Sequence, residues 1–406
     1  MTGPGCGSSA AGATAAGATA AGATATAVGA CDHCLARAGL LARLAGALDH
    51  VGSAVGDLLA LDDADLITAV AGRRRDAVAR EHGAFSAPSA RARAGAAGLT
   101  MICRCRDVYP RSLRELTAPP AVLHIAGRPE LVLEPGTGAR AGTGADRDGQ
   151  DAPAVAVVGA RAPSPYGTEV ARGLGRGLAA AGLTVVSGMA RGIDSAAHWG
   201  ALDGSGRTVA VLDGAAERPY PASARGLHAR IRAAGAVVSE LPPGTATRRW
   251  MFPARNRLIA ALATLTVIVE ARSASGALLT AALARELTRG LAAVPGRVTS
   301  PLAAGPHELI RDGATLVTGS ADVLERLALL PAAPARPGTR ARSEPEAGLT
   351  GTQRALLHAL AEGQPTEAAL ARAGLGTQAG LAALAALELS GLVRRELGGR
   401  WTVRVR

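Results

Sequence analysis

Six short apolar runs divide the middle of the chain, and each is four to five residues long. Val, Leu and Ala dominate them, and longer segments with helical spacing separate one run from the next. Short continuous apolar strands that alternate with helices are typical of a parallel sheet covered by helices on both faces. The sequence therefore predicts a doubly wound, mostly parallel α/β domain with strands at Ala154–Val158, Leu183–Ser187, Thr208–Leu212, Ala236–Ser239, Leu265–Val269 and Leu291–Val294.

Glycines, small hydroxyls and arginines follow these predicted strands. Gly159-Ala160-Arg161 comes directly after the first strand, Ser187-Gly188 ends the second, and Ser275-Gly276 lies beyond the fifth. In an open parallel sheet the carboxyl ends of all strands lie on one edge, and ligands bind there. We therefore expect these residues, which are far apart in sequence, to line one crevice.

Composition shifts divide the rest of the chain. A repeat of Ala-Ala-Gly-Ala-Thr near the start has side chains too small to bury a core, which predicts disorder. Leu35, Leu40, Leu41, Leu44 and Leu48 recur at helical spacing and predict a small helical domain, which would allow a helix-hairpin-helix or sterile-alpha-motif arrangement. The predicted regions are a disordered tail (1–27), the helical domain (28–100), a sheet domain (101–330) with a flexible insertion (134–153), a proline-rich linker (331–348) and a C-terminal domain (349–406).

The C-terminal region has the order of a winged helix. Three predicted helices, Thr352–Ala361, Thr366–Ala373 and Thr377–Ser390, precede two short strands near Val393 and Trp401. In such folds the third helix normally enters the major groove of DNA. Here that helix is rich in Ala and Leu with little basic charge. This disfavours strong duplex recognition and leaves a protein contact open.

Charge adds a class of partner to this picture. The chain has 406 residues and a net charge of +11, and its 44 basic residues are all arginine. A basic surface favours polyanions, and guanidinium groups suit phosphate oxygens. The five cysteines and the lack of a basic, then apolar, start predict a cytoplasmic protein without a secretory signal. The longest apolar run, Leu258–Val269, is too short for a membrane span.

The motifs favour binding of phosphate over binding of a dinucleotide. A glycine-rich G-x-G-x-x-G turn does not follow the first strand, which disfavours NAD and FAD. Arg161 instead places a guanidinium at the strand end, where it suits a phosphate. After the second strand, Gly188 allows close backbone approach beside a helix N-terminus that attracts anions. Asp194 and His198 have the spacing of a metal pair, but a structural hydrogen bond is the favoured interpretation.

Two later segments point to nucleic acid. Phe252-Pro253-Ala254-Arg255-Asn256-Arg257 combines an aromatic ring with groups that grip phosphates and base edges, as in single-strand contacts. Ser275-Gly276 at a predicted helix start is typical of an anion-binding turn. Glu270 would be a candidate general base, yet no nucleophile is paired with it in these motifs. The chemistry therefore favours binding over catalysis, so the sequence predicts a non-enzyme.

Four of the five cysteines form two close pairs. Cys31 and Cys34 have a C-x-x-C spacing, and Cys103 and Cys105 have a C-x-C spacing. Four thiols in two pairs fit a structural zinc that ties the helical domain to the sheet domain. The tight second pair and the long gap between the pairs leave unligated thiols as the alternative.

Taken in order, the motifs resemble the DNA-processing protein A family (DprA, also called Smf). The resemblance runs from about Tyr109 to Leu327, and the tail resembles the winged-helix domain of many members. The motifs that carry it are Gly159-Ala160-Arg161, Tyr166-Gly167, Ser187-Gly188-Met189-Ala190-Arg191-Gly192-Ile193-Asp194, Tyr220-Pro221, Phe252–Arg257, Ser275-Gly276 with Thr280, and Ala293-Val294-Pro295-Gly296.

The resemblance implies a function and a site. It implies an extended Rossmann-like domain that binds single-stranded DNA, forms homodimers, protects incoming DNA and loads the recombinase RecA during natural transformation. By motif position the resemblance assigns eight of our ten candidate residues to the DNA pocket. The other two, Gly159 and Arg191, are candidates because they lie in the motifs that follow the predicted strands. The candidate DNA-binding residues are Gly159, Arg161, Ser187, Gly188, Arg191, Phe252, Arg255, Asn256, Ser275 and Gly276.

Two departures from the family pattern stand out. The usual Gly-Ser-Arg is Gly159-Ala160-Arg161 here. The family lysines that help to hold DNA are absent, and arginines such as Arg207 or Arg232 are candidates to substitute for them without a one-to-one match. The alternative function is a nucleotide-binding or nucleotide-hydrolysing enzyme related to phosphoribohydrolases. The Pro-Gly-Gly signature of those enzymes is missing at Ala274-Ser275-Gly276.

Overall fold

A computed structural model describes residues 29–51, 55–134, 153–330, 350–361, 365–389, 393–395 and 401–403. The expected disordered tail, the expected linker and most of the expected insertion lie outside these residues. The chain divides into two compact units, one that ends at Leu330 and a second that follows it. Among the described residues, no helix combines the length and the apolar character that crossing a membrane requires.

The first unit is built around one nine-stranded sheet in the order β1-β2-β6-β5-β4-β3-β7-β8-β9. Its strands are β1 (Thr100–Cys103), β2 (Val122–Gly127), β3 (Ala154–Val158), β4 (Thr184–Ser187), β5 (Thr208–Val211), β6 (Ala236–Ser239), β7 (Leu265–Ile268), β8 (Gly290–Ala293) and β9 (Thr315–Leu316). Six of these match the six predicted apolar runs to within a residue, which confirms the mostly parallel α/β sheet.

Strand direction matters for where ligands can bind. Strand β2 pairs antiparallel with both β1 and β6, while every other pairing in this sheet is parallel. It follows that β2 alone is reversed and that β1 runs in the same direction as β6. The carboxyl ends of β1 and of β3 to β9 therefore share one edge of the sheet, and the carboxyl end of β2 lies at the other.

Sixteen described helices accompany the strands. In the first unit they are α1 (Asp32–Leu48), α2 (Val55–Ala60), α3 (Asp63–Val70), α4 (Arg75–Gly83), α5 (Ala87–Ala96), α6 (Arg111–Arg114), α7 (Pro165–Ala180), α8 (Ile193–Gly204), α9 (Arg225–Ala234), α10 (Met251–Leu262), α11 (Gly276–Glu286), α12 (Ala304–Arg311) and α13 (Ser320–Leu329). The second unit contains α14 (Gly351–Ala361), α15 (Thr366–Arg372) and α16 (Thr377–Leu389).

Helices cover both faces of the sheet. On one face, residues of α10, α11 and α12 such as Leu258, Ala281 and Leu309 pack on the strands. On the other face, α7 and α8 contribute Leu178 and Ala197, and α9 packs nearby. Strands β4 to β7 are buried along their whole length because each is covered twice. Burial on both faces explains why these strands read as continuous apolar runs in the sequence.

The N-terminal helices join the first unit through a shared apolar cluster. Leu44 and Leu48 of α1 pack with Trp250 and Met251, which lie at the start of α10. The Trp250 indole nitrogen donates to the carbonyl oxygen of Ala45 at 2.9 Å. The helices are therefore packed against the segment that also carries Phe252 and Arg255.

The second unit has three helices followed by a two-stranded antiparallel sheet. Strands β10 (Val393–Arg395) and β11 (Trp401–Val403) pair in this sheet. Leu356, Leu384 and Leu387 are fully buried in a small core with the side chain of Val393. This order matches the predicted order of elements, and the winged-helix assignment stays a prediction.

Candidate functional site

A crevice opens at the carboxyl edge of the sheet, between the ends of β3 and β7. These strands are neighbours, and the chain order reverses between them because β4 to β6 lie on one side and β8 and β9 on the other. Open α/β sheets bind ligands at such a switch point. The crevice contains a cavity of about 500 Å³ and a smaller one of about 110 Å³ beside it.

Nine of the ten predicted binding residues line these two cavities. The larger cavity is bordered by the turn after β3, the start of α10 and the start of α11, and the smaller by the turn after β4. The nine residues are Gly159, Arg161, Gly188, Arg191, Phe252, Arg255, Asn256, Ser275 and Gly276. The structure thus brings together residues that the chain separates by more than a hundred positions.

Ser187 is the one predicted residue outside the lining. Its side chain is fully buried, and its hydroxyl donates to the carbonyl oxygen of Val157 at 2.7 Å. This bond ties the end of β4 to β3 below the crevice. The position of Ser187 therefore gives it a structural hydrogen bond and no free donor toward a ligand.

An arginine and two aromatic rings form the exposed wall of the crevice. The Arg161 guanidinium carbon lies 4.9 Å from the centre of the Phe252 ring, a cation–π distance. The Tyr220 ring packs against Phe252 with centroids 5.8 Å apart. Within the described residues Arg161 makes no hydrogen bond or salt bridge, so its N–H groups face solvent. Phe252 thus holds in place a cation whose donors are available to an anion.

A second arginine, Arg255, lies underneath this wall. It is 5% exposed, and its Nη1 donates to the carbonyl oxygen of Val211 at 2.8 Å. Its Nε is also buried and has no hydrogen-bond partner within the described residues. A Cβ added at Gly188 would lie 1.5 Å from Arg255 Nη1. A side chain at position 188 would therefore displace the buried guanidinium, and glycine leaves it room.

Two buried carboxyl groups, those of Asp194 and Asp213, interact electrostatically with Arg255. Burial raises the pKa of Asp194 above its ordinary value, and Arg255 opposes this by stabilising the charged form. Burial likewise raises the pKa of Asp213, and Arg255 and Arg161 oppose it. Arg255 therefore partly compensates two acidic groups in the floor of the crevice, while Arg161 remains at its surface.

Asp194 and His198 do not form a metal pair in this structure. The Gly188 amide donates to Asp194 Oδ2 at 3.1 Å. His198 Nδ1 lies 2.7 Å from the Thr208 hydroxyl, which itself donates to the Val185 carbonyl oxygen. His198 Nδ1 is therefore the donor to Thr208, and burial lowers the pKa of His198 to about 3. Both side chains make structural hydrogen bonds, which was the favoured interpretation of their spacing.

The start of α11 closes the opposite side of the larger cavity. Asn256 Nδ2 lies 3.4 Å from the carbonyl oxygen of Gly276, which links α10 to this turn. The Ser275 hydroxyl oxygen is buried and has no hydrogen-bond partner among the described residues. The first amides of α11 and the positive end of its dipole also lie at this turn. Such a turn suits an anion.

Glu270, the candidate general base, has a different task. It is 6% exposed, and its two oxygens accept from the Ser164 amide at 2.8 Å and the Ser164 hydroxyl at 2.6 Å. A Cβ at Gly167 would lie 2.2 Å from one of these oxygens. Glu270 therefore fixes the N-terminus of α7 beside the crevice, which is a structural task.

Three further crevice residues were not among the predicted binding residues. Asp213 and Tyr220 line the smaller cavity, and Arg272 lines the larger one. Asp213 lies two residues after β5, so its place near a strand end was the signal that would have found it. Arg272 lies between β7 and α11, in the same position relative to its strand as the other predicted motifs.

Comparison with known proteins identifies the family. The family model for DNA recombination-mediator protein A matches residues 142–328. The chain is 37% identical over 218 residues to DNA processing protein DprA of Streptococcus pneumoniae, covering 54% of this chain and 71% of that protein. The chain belongs to the DNA recombination-mediator protein A family. This confirms the resemblance to DprA and Smf proteins.

Other relatives agree with this assignment. A relative from Mycobacterium tuberculosis is 45% identical over 258 residues, which is 62% of this chain and 64% of that protein. The match therefore spans slightly less than two thirds of that relative. The X-ray structure of DNA processing protein A from Streptococcus pneumoniae superimposes with a TM-score of 0.56 at 30% identity, over 72% of this chain and 95% of that one.

Proposed function

We propose that this DprA-family protein binds single-stranded DNA in the crevice and acts as a recombination mediator, not as an enzyme. The observation that carries the proposal is the exposed Arg161 guanidinium, held 4.9 Å from the Phe252 ring beside Tyr220. Aromatic rings and arginines in one groove are the usual means of binding single strands without sequence preference. The name of the family supports a role in recombination.

The crevice is suited to a phosphate backbone as well as to bases. Arg161, Arg191 and Arg272 are exposed at its surface, and the α11 N-terminus with Ser275 offers amide donors. Charge-assisted hydrogen bonds from guanidinium groups to phosphates are among the stronger contacts available to a protein. Because these contacts release counterions from the nucleic acid, binding should weaken steeply with salt.

A fluorescence-anisotropy titration tests this function. We expect labelled oligo-dT to bind tightly to the full chain, the matching duplex to bind more weakly, and both to weaken as salt rises from low to physiological concentration. Arg128→Ala is a matched control, since Arg128 follows the reversed strand β2 at the opposite sheet edge and pairs with Glu130 at 2.8 Å. Equal binding of single strand and duplex, or no binding, would overturn the proposal and direct the test to nucleotides.

Asp213→Asn is expected to tighten oligo-dT binding at neutral pH. Removing a carboxylate from the crevice lowers repulsion of phosphate by roughly 0.5–1 kcal/mol. The pKa of Asp213 is raised above 3.8, so its charge is lost at a higher pH than usual as the solution is acidified. Affinity of the natural protein should therefore rise as pH falls, and the variant should show a weaker dependence. Anisotropy titrations with oligo-dT across this range measure it, and an identical pH profile would contradict the placement of Asp213 near the DNA.

The proposal extends to partners. We propose a cytoplasmic homodimer that protects incoming DNA and loads RecA during natural transformation, with the C-terminal unit acting as a winged helix that contacts another protein. The family resemblance and the order of three helices before a two-stranded sheet support it. A RecA strand-exchange assay on DNA coated with single-strand-binding protein tests the mediator role. No stimulation by this protein would reject it, even where DNA binding itself is found.

A further inference from the structure

Four cysteine sulfurs lie together at the junction between α1 and β1, away from the crevice. Cys31 precedes α1 and Cys34 lies in its first turn, while Cys103 ends β1 and Cys105 follows in the next turn. The four Sγ atoms all lie within 4.8 Å of one another. Cys105 Sγ is 3.6 Å from Cys34 Sγ and 4.0 Å from Cys31 Sγ. Two distant parts of the chain thus contribute one compact set of sulfur ligands.

These separations suit a single tetrahedral metal ion. A Zn–S bond of about 2.3 Å places the four sulfurs of a tetrahedron about 3.8 Å apart. A disulfide would need a sulfur–sulfur distance of about 2.05 Å. The separations of 3.6 and 4.0 Å around Cys105 Sγ are therefore far from a disulfide and close to a tetrahedral edge. Four thiolates also match the ligand preference of zinc in structural sites.

We propose that Cys31, Cys34, Cys103 and Cys105 bind one Zn²⁺ in a structural site. Four protein ligands complete the tetrahedron and leave no position for a substrate, so the ion has no catalytic task. The Cys31 amide lies 3.4 Å from Cys103 Sγ and donates to it. The N-terminus of the 17-residue helix α1 adds a favourable dipole for two of the thiolates. Such donors around the sulfurs are what a metal-thiolate centre requires.

The packing around the cluster explains why a metal is useful there. The apolar cluster that contains Cys34 and Cys103 is built mostly of small side chains, including Ala30, Ala38 and Ala87. Small side chains bury little area, so they hold α1 weakly against the outer strand β1. A zinc ion would join α1 to β1 at a place where the packed side chains are mostly small. It would act as a cross-link between residues about seventy positions apart in the chain.

The site is separate from the crevice although both lie at the same sheet edge. Strand β1 runs in the direction of β6 and is five strands from β3 in the sheet order. At a strand spacing of about 4.8 Å, the ends of β1 and β3 are roughly 24 Å apart. The zinc proposal therefore stands or falls independently of DNA binding in the crevice.

Metal analysis of the purified full chain tests the proposal. We expect about one zinc per chain after dialysis, and loss of that zinc in Cys105→Ser. Cys105 is exposed, so serine at that position should leave the fold intact. Cys6→Ser is the matched control, because it removes the fifth cysteine of the chain and should keep the zinc. Equal zinc content in Cys105→Ser and Cys6→Ser would reject the site.

Cobalt replacement gives a readout that does not depend on a variant. Co²⁺ bound by four thiolates should give intense thiolate-to-metal absorption in the near ultraviolet and visible bands of tetrahedral cobalt. Removing the metal with a chelator under reducing conditions should lower the midpoint of thermal unfolding. The proposal is overturned by a metal-free protein that takes up no cobalt, by a disulfide among these cysteines in mass spectra, or by iron in place of zinc.

Discussion

Replacing Arg255 by alanine should lower the free energy of unfolding by about 3–5 kcal/mol, the cost of removing one partner from a buried group of charges. The side chain is 5% exposed and bonds the Val211 carbonyl oxygen. Its loss leaves Asp194 and Asp213 without the cation that opposes their raised pKa values. It also opens a space beside Gly188. Urea unfolding of the full chain, followed by circular dichroism, measures the stability, and anisotropy with oligo-dT measures the binding.

Arg257→Ala separates the loss of stability from the loss of binding. Arg257 lies on the same helix two positions later, is 8% exposed, and pairs with Glu240 at 2.5 Å. It does not line either cavity of the crevice. Both variants should be destabilised, but only Arg255→Ala should lose most of its affinity for single-stranded DNA under conditions where it is folded. Equal binding by the two folded variants would remove Arg255 from the binding site.

The sequence predicted the centre of the sheet well and its borders poorly. Strands β3 to β8 are buried by helices on both faces, so they appear as continuous apolar runs. Strand β2 has His124 in its middle, 2% exposed, and β9 has two residues. The buried histidine interrupts the otherwise apolar run of β2, and a two-residue strand is too short to give a pattern. The reversal of β2 is set by its pairing with β6, which depends on the tertiary structure.

The same limit applies to the crevice. Strand ends show which residues share an edge, and together with the family motifs they placed nine predicted residues around the two cavities. Strand ends do not show how deeply each side chain is buried within the crevice. Ser187 ends one apolar strand and Arg161 follows another, yet the Ser187 hydroxyl donates inward to the Val157 carbonyl oxygen while the Arg161 guanidinium lies at the surface. Sequence spacing also cannot show that Arg255 fills the space above Gly188, because that contact joins two different strand connections.

Cysteine spacing left the zinc question open for a related reason. The two pairs are separated by a long stretch of chain, and nothing local brings them together. The contact exists because α1 packs on the outer strands β1 and β2, through the cluster that contains Ala38, Cys103 and Val122. The pairing of β1 with β2, and the bond from the Arg104 amide to the Ala121 carbonyl oxygen, help to fix the turn that carries Cys105.

A double-mutant cycle on Arg161 and Phe252 tests the exposed wall of the crevice. Arg161→Ala should weaken oligo-dT binding by about 1–3 kcal/mol through loss of charge-assisted bonds to phosphate. Phe252→Ala should weaken it by a similar amount, about 1–3 kcal/mol, through loss of base stacking. Because the Arg161 guanidinium rests on the ring at 4.9 Å, the double variant should lose less than the two single losses together.

Salt dependence distinguishes the two roles within that cycle. Removing a phosphate contact should reduce the slope of log affinity against log salt by about one, so Arg161→Ala should show a shallower slope. Phe252→Ala removes a ring and no charge, and its slope should be closer to that of the natural protein. The slope for Phe252→Ala should decrease only to the extent that Arg161, without the ring that it packs on, loses its contact with phosphate. The opposite result would be that the two single losses add in the double variant and that neither variant changes the salt slope. In that case Arg161 and Phe252 would not make the coupled phosphate and base contacts proposed for the exposed wall.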